Sequence, residues 1–355
     1  MLGSTLAIPP ATVVGVNTPS RVVALGHAIV DVLAFCEDDA LDALGLAKST
    51  MTLVEPPRAR EIQASVVVSA MSSGGSAANT AVSLAALGVP TTFVGRVADD
   101  ELGDFFASDI ASSGVRFASG TSPVAPGAGA GSPSAFSSSQ PCGTGSAIVL
   151  VSPDAERTMC TSLGIGGTVS VADVDTSEVA AADVVYIEGY LCGKPETESA
   201  VTAALDAAAK AGTTVALSAS DPFWVHLHGD ALRGLLDSVD VLFANEAEAP
   251  GLSGESDTGS AVKFLAEKCG TVVVTLGAAG SLVASNGELI QVPADKVDSV
   301  VDTTGAGDSF AAGYLYGIIN NLGERRSAEI GSRLAADVIT HLGARPLPGK
   351  VLKID

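Results

Sequence analysis

Short runs of Val, Ile, Leu and Ala alternate along the chain with longer stretches whose apolar positions recur at helical spacing. Runs at 22–26, 92–97, 184–188, 213–218, 239–244 and 271–276 predict strands, and several are apolar without alternation, as strands covered on both faces require. Helices are predicted between them over 79–87, 100–113 and 198–210. Each ends just before a glycine (Gly88, Gly114, Gly212), which tolerates the left-handed conformation that stops a helix. A further apolar helix follows over 309–319. Repeated strand–helix units predict an α/β fold with a doubly wound, mostly parallel sheet between two helical layers.

Two regions break this rhythm. The first, 32–71, holds strand-like runs at 32–35, 51–54 and 65–69; the second, 115–163, holds runs at 147–151 and 157–161 with the turn residues Pro153-Asp154 between them. Both read as antiparallel hairpins forming a small β lid inserted in a core made of 21–31, 72–114 and 164–347. Residues 119–146 are rich in Gly, Ser, Ala and Pro and bury too little to offset their ordering entropy, which predicts a mobile loop. Residues 1–20 lack the basic start and long apolar run of a signal peptide and read as a loose N-terminal tail.

Composition narrows the functional classes. Hydrophobic residues make up 47% and charged residues 17%, which excludes a disordered or fibrous chain. With 19 basic and 40 acidic residues the net charge is −21, so the surface repels nucleic-acid backbones. A bound phosphate must then find local N–H donors and a metal ion. Five scattered cysteines, none in a CxxC pair, indicate neither a zinc site nor a disulfide framework and suit a reducing cytoplasm. No run of about twenty apolar residues suggests a membrane span.

Candidate chemistry clusters where strands end. Asp302-Thr303-Thr304-Gly305-Ala306-Gly307-Asp308 leads into the helix predicted over 309–319. Its glycines allow a turn with bared N–H groups at the positive end of a helix, a setting for a transferring phosphoryl group, with Asp308 placed to take a proton from a hydroxyl. A plain glycine turn with Asp as N-cap gives the same short pattern. Gly74-Gly75-Ser76-Ala77-Ala78-Asn79 opens another helix, its glycines letting a ligand approach the backbone and Asn79 offering donor and acceptor. No GxGxxG follows the first strand, and Gly45-Leu46-Ala47-Lys48-Ser49 lacks the glycine a P-loop places before its lysine, so dinucleotide and P-loop classes are set aside.

Together the two glycine-rich segments resemble the signatures of the PfkB, or ribokinase-like, carbohydrate kinase family, and the resemblance spans roughly residues 21–347. It implies a ribokinase-like three-layer αβα sandwich and ATP-dependent phosphorylation of a hydroxyl. In that scheme Asp308 is the base, Gly305, Ala306 and Gly307 form the anion hole, and Asp31 with Gly74, Gly75 and Asn79 grips sugar hydroxyls. Asn245-Glu246-Ala247-Glu248 resembles the family's NxxE element, so Asn245 and Glu248 are implied to organise Mg²⁺ through water. Asn245, Thr275, Gly277 and Gly280, with Gly305 and Gly307, are implied on the ATP side, and Asp302 resembles part of a potassium-type site.

Other segments resemble the adenosine kinase-like branch. Ser220-Asp221-Pro222-Phe223 is similar to a segment whose Phe packs on the purine, and Glu188-Gly189-Tyr190-Leu191 to another base-contacting element. Arg157, in the stretch 154–159, is implied to reach the phosphates, while Met159 and Leu163 line the base pocket. His27 stands where that branch carries Asn. These residues imply transfer to the 5′-hydroxyl of adenosine, with a free sugar such as ribose or fructose, or inosine or guanosine, as alternative acceptors. The resemblance implies a cytoplasmic monomer or homodimer acting on a small molecule.

Overall fold

The structure is a computed structural model that describes residues 21–119, 143–154, 156–347 and 354. The predicted tail at 1–20 and most of the predicted loop at 119–146 lie outside the described residues. In chain order the first strands are β1 (Val22–Leu25), β2 (Ile29–Phe35), β3 (Met51–Leu53), β4 (Val68–Gly74), β5 (Thr91–Gly95), β6 (Arg116–Ser119) and β7 (Gly145–Val151). They are followed by β8 (Arg157–Ser162), β9 (Val184–Glu188), β10 (Thr214–Ser218), β11 (Val241–Asn245), β12 (Thr271–Thr275), β13 (Ser281–Ser285) and β14 (Glu288–Val292).

Nine strands make one sheet in the order β14-β13-β12-β11-β10-β9-β1-β5-β6. Its pairings are parallel from β12 to β6, and β13 and β14 add an antiparallel edge. Alternate residues of the inner strands feed two separate cores. Val22 and Ala24 of β1 pack with the helices Ser76–Ala86, Ala306–Ile319 and Glu324–Val338, whereas Val23 and Leu25 pack with Pro195–Ala211 and Pro222–Arg233. The unbroken apolar runs of these strands are a consequence of that double burial. Gly88, Gly114 and Gly212 take φ of 81°, 84° and 76°, the conformation that stops the preceding helices. The result is a ribokinase-like three-layer α/β sandwich.

A five-stranded sheet, ordered β3-β8-β7-β2-β4, stands beside the large one. Here the structure corrects the predicted hairpins. Only β7–β8 and β2–β4 pair antiparallel; β2–β7 and β3–β8 are parallel. The boundary at 115 also shifts, because β6 extends the large sheet beside β5. One face of the small sheet packs Val30, Val32, Ile148 and Leu150 on the helices Asp38–Ala43 and Pro56–Ala64. Its other face carries Asp31, Val149, Met159 and Met51 into a cavity above the carboxyl ends of β1, β9, β10, β11 and β12, where open parallel sheets place their ligands.

Candidate active site

The cavity measures about 700 Å³, enough for small ligands. Gly305, Ala306, Gly307 and Asp308 line it together. The helix starts at Ala306, earlier than the sequence indicates, and Gly305 is its N-cap at φ 75°. Asp308 is therefore a first-turn residue and not the N-cap. A β-carbon on Gly305 would lie 2.2 Å from the Ala344 carbonyl oxygen, so only glycine lets this turn pass so close. Among the described residues, one on Gly307 would meet nothing within 4 Å, which leaves that backbone open to a ligand. The first N–H groups of a helix have no intrahelical acceptor and sit at its positive end.

Both Asp308 oxygens are held by the first glycine-rich segment. Ser76 Oγ donates to Oδ1 at 2.7 Å and Asn79 Nδ2 donates to Oδ2 at 3.0 Å. Burial pushes the Asp308 carboxyl up to about 6, against the pull of those donors and of Arg345. Asp31 faces the same cavity and burial likewise raises it to about 6, with Arg345 lowering it and Asp308 raising it further. Gly75 shares that wall, whereas Gly74 sits behind Asp31 and does not line the cavity.

His27, at the end of β1, is 3% exposed, and burial lowers its imidazole to about 4, so it is neutral. Its ring stacks on Tyr190 with centroids 6.5 Å apart, and Tyr190 meets Trp224 edge-on at 5.5 Å. Trp224 Nε1 donates to the carbonyls of Gly189 and Cys192, both at 3.1 Å. Phe223 stands at the mouth, 55% exposed, and Met159 and Leu163 reach the cavity from the small sheet and just beyond it. Glu188 is 1% exposed and accepts from the backbone N–H of His27 at 3.3 Å and of Ala77 at 2.9 Å. Burial pushes its carboxyl up to about 8.

Asn245 and Glu248, also on the cavity wall, form a closed pair. Asn245 Nδ2 donates to Glu248 Oε1 at 2.6 Å, the Asn245 N–H donates to Oε2 at 2.9 Å, and Asn245 Oδ1 accepts from the N–H groups of Ala247 and Glu248. Burial raises Glu248 to about 7. Among the described residues no three His, Cys, Asp or Glu side chains gather as a metal cage. Mg²⁺ asks for less, since it keeps most of its waters and binds one or two carboxylates beside phosphates. One carboxyl and one amide on the cavity wall fit that need.

Several predicted residues fall off the cavity wall. Thr275 lines it, but Gly277 and Gly280 do not; a β-carbon on Gly280 would strike the Val292 carbonyl oxygen at 2.0 Å, which gives it a role in the β12–β13 turn. Arg157 and Asp302 are also off the wall. Arg157 Nη1 donates to Asp302 Oδ1 and to Thr304 Oγ1, tying the start of β8 to the glycine turn. Burial would raise Asp302, but donation from Arg157, Thr304 and Gly343 outweighs it and holds the carboxyl below its ordinary value.

Arg345, Ser76, Glu188 and Trp224 were not singled out as site residues from the sequence. Ser76 and Glu188 lie inside segments that were, and Trp224 neighbours Phe223. Arg345 had no flag beyond being a cation in an acidic chain. Its Nε donates to Asn79 Oδ1 at 2.9 Å and its Nη1 to Ser73 Oγ at 2.7 Å.

Fold and cavity together define a small-molecule kinase. The sequence pattern of the pfkB family carbohydrate kinases matches residues 21–120 and 135–349, and the chain belongs to that family. Its members are phosphotransferases acting on hydroxyl groups. The crystal structure of adenosine kinase from Sinorhizobium meliloti superposes with a TM-score of 0.81 at 35% identity, covering 93% of this chain and 97% of that one. An adenosine kinase of Dictyostelium discoideum is 30% identical over 225 residues, 57% of this chain, and the match spans 63% of that protein's length. An ATP-dependent ribose-1-phosphate kinase of Halopiger xanaduensis is 29% identical over 286 residues, 81% of this chain and 86% of that protein. Among the described residues no helix is long and apolar enough to cross a membrane.

Proposed function

We propose that the chain transfers the γ-phosphoryl group of ATP to the 5′-hydroxyl of adenosine, giving AMP and ADP in purine salvage. The observation that carries this reading is the Asp308 carboxyl, held at both oxygens in the first turn of a helix whose Gly307 leaves the backbone open. A base with a pKa near 6 is largely ionised at neutral pH yet still basic enough to take a hydroxyl proton as the new bond forms. Asp31 and Asn79, beside Gly74 and Gly75, orient the ribose. The N–H groups at 305–308 stabilise charge developing on the transferring group, and fixed donors in a buried site are the largest contribution a protein makes to such a transfer. Arg157, Gly277, Gly280 and Asp302 stand behind the cavity wall and serve this scheme at one remove. Arg157 adds a cation behind the phosphate side, Gly277 and Gly280 shape the turn that sets Thr275 beside the nucleotide, and Asp302 with neighbouring carbonyls holds a monovalent cation such as K⁺. Mg²⁺, when bound through Asn245 and Glu248, supplies charge neutralisation at the phosphates.

Adenosine is favoured as acceptor by two features. An adenosine kinase structure shares 35% identity over 93% of the chain. The wall built from His27, Tyr190, Phe223, Met159 and Leu163 is apolar and partly aromatic, which suits a flat base. The small sheet roofs the cavity as a lid, and the enzyme works in the cytoplasm as a monomer or homodimer. The ribose-1-phosphate kinase similarity supports a second reading, in which the acceptor is a sugar and not adenosine; a free sugar such as ribose or fructose, or another nucleoside such as inosine or guanosine, is then the acceptor to test. A coupled ADP-release assay over this panel decides between them. Adenosine should give the highest kcat/KM, and a sugar that outperforms it overturns the first reading.

A further inference from the structure

We infer that Arg345 is a positioning residue for the transfer step, acting through Asn79 on the Asp308 carboxylate. This rests on the reading of Asp308 as the base. An amide side chain can present either its oxygen or its NH₂ group to a neighbour, and which one faces Asp308 decides whether the contact attracts or repels. Arg345 Nε donates to Asn79 Oδ1 at 2.9 Å. With its oxygen committed to a cation, Asn79 can offer Asp308 only its NH₂ group, and it does so at 3.0 Å.

The guanidinium is itself fixed. Its side chain is 12% exposed, Nη1 donates to Ser73 Oγ at 2.7 Å and lies 3.4 Å from Asp109 Oδ2, and Asp109 in turn accepts from Ser73 N and Oγ. Among the described residues Nη2 is buried with no partner, so the side chain has been drawn under the site at some cost. The residues before it brace the same turn. The Gly343 N–H donates to Asp302 Oδ2 at 2.8 Å, and the Ala344 carbonyl packs on Gly305. Three consecutive residues beyond the last helix thus touch both glycine-rich segments. A lysine in this place would keep the charge but lose the planar fork that holds Asn79 and Ser73 together.

Charge supports the geometry. The cavity side of Asp308 faces the acidic or acid-forming groups Asp31 of β2, Tyr186 and Glu188 of β9, Tyr190 beyond it and Glu248. Arg345 is the cation that lowers both Asp308 and Asp31. Its removal must therefore raise them.

The test uses the full chain and adenosine phosphorylation across pH, with R345Q, R345K, D308N and the R345Q/D308N double variant. R345Q should lower kcat by about tenfold or more and move the acidic limb of kcat/KM up by about one unit. At a pH where Asp31 is ionised with or without Arg345, the same change in the D308N background should cost nothing further, the signature of action through that carboxylate. R345K should keep the limb in place without restoring the rate. A merely structural arginine would lower kcat at every pH with the limb unmoved, and would cost as much with D308N as without it; that result overturns the inference. If circular dichroism shows R345Q unfolded, R345K decides, and a native rate there overturns it too. Near-native turnover by D308N is a different outcome: it removes the base itself, and the role of Arg345 with it.

Discussion

A β-carbon on Gly74 would stand 2.3 Å from Asp31 Oδ2. The last residue of β4 is what leaves room for the carboxyl reaching into the cavity from β2, on which β4 pairs antiparallel with Gly74 opposite Ile29. The obstacle to a larger residue is the free end of a side chain that can swing aside, and Gly74 is not among the positive-φ residues. Gly74→Ala should therefore fold with nearly unchanged thermal stability while turning Asp31 out of place. Losing hydrogen bonds from substrate hydroxyls to a charged group costs about 1.5–3 kcal/mol, so the acceptor KM should rise roughly tenfold or more. Nucleotide affinity should hold. A variant that loses its fold instead would show that Asp31 is rigidly fixed.

Asp308→Asn keeps the shape of the side chain and removes the proton acceptor. Turnover should fall by a factor on the order of 10² or more with acceptor binding largely kept. In the native enzyme burial raises Asp308 and Asp31 both to about 6, and the Asp308 charge raises Asp31 further, so the acidic limb of kcat/KM belongs to the pair. Because both carboxyls must lose their protons, log kcat/KM should climb with a slope approaching two well below pH 6 and ease to unit slope nearer it, where repulsion separates the two steps. Asp31→Asn should return the slope to that of one group and lower its midpoint. A unit slope persisting at every acidic pH in the native enzyme would contradict a two-carboxyl titration.

The layered sheet and the chemical segments at strand ends were legible because both are local patterns. A strand buried on two faces must be apolar throughout, and the turn at Gly305-Ala306-Gly307 must be glycine-rich where Ala344 presses on it. The pairing of the small sheet was not legible. β2 and β7 lie side by side and parallel although more than a hundred residues separate them, and nothing in either strand's alternation specifies the direction of its partner. Arg345 was hidden for a similar reason. Its partners Ser73, Asn79 and Asp109 lie more than 230 residues earlier, and a lone arginine before a proline carries no periodic or spacing signal. Gly280 shows the converse, since a glycine suited to a nucleotide turn is required by the Val292 carbonyl behind it.

Glu188 should make the native fold weaker in base. Its carboxyl is raised from 4.5 to about 8, chiefly by burial, with the Ala77 and His27 N–H groups opposing. The folded state therefore holds the proton more tightly than the unfolded chain does. Its contribution to stability is complete below 4.5 and is lost as pH rises through about 8. Urea midpoints should decline between pH 5 and pH 9, and Glu188→Gln should flatten that decline while lowering stability at pH 5, because its NH₂ group faces an N–H donor. An unchanged slope in the variant would mean that Glu188 is ionised in the folded protein across this range.

Phe223 offers the cleanest way to separate base recognition from ribose chemistry. It is the second residue of the helix Pro222–Arg233, held at the cavity mouth because Asp221 caps that helix by accepting from the N–H groups of Phe223 and Trp224. At 55% exposure its ring contributes little to the core, so Phe223→Ala should leave the unfolding temperature nearly unchanged, the cap being made by backbone N–H groups that alanine retains. Stacking of a base on an aromatic ring contributes about 1–3 kcal/mol, which sets the expected rise in KM for adenosine at roughly fivefold to a hundredfold. The reacting hydroxyl is gripped elsewhere, by Asp31 and Asn79, so kcat should change far less. A free sugar has no base to stack, and its KM should not move. Equal losses on adenosine and ribose would place Phe223 in the closure of the cavity and not against the purine. No loss on either would remove it from the acceptor site.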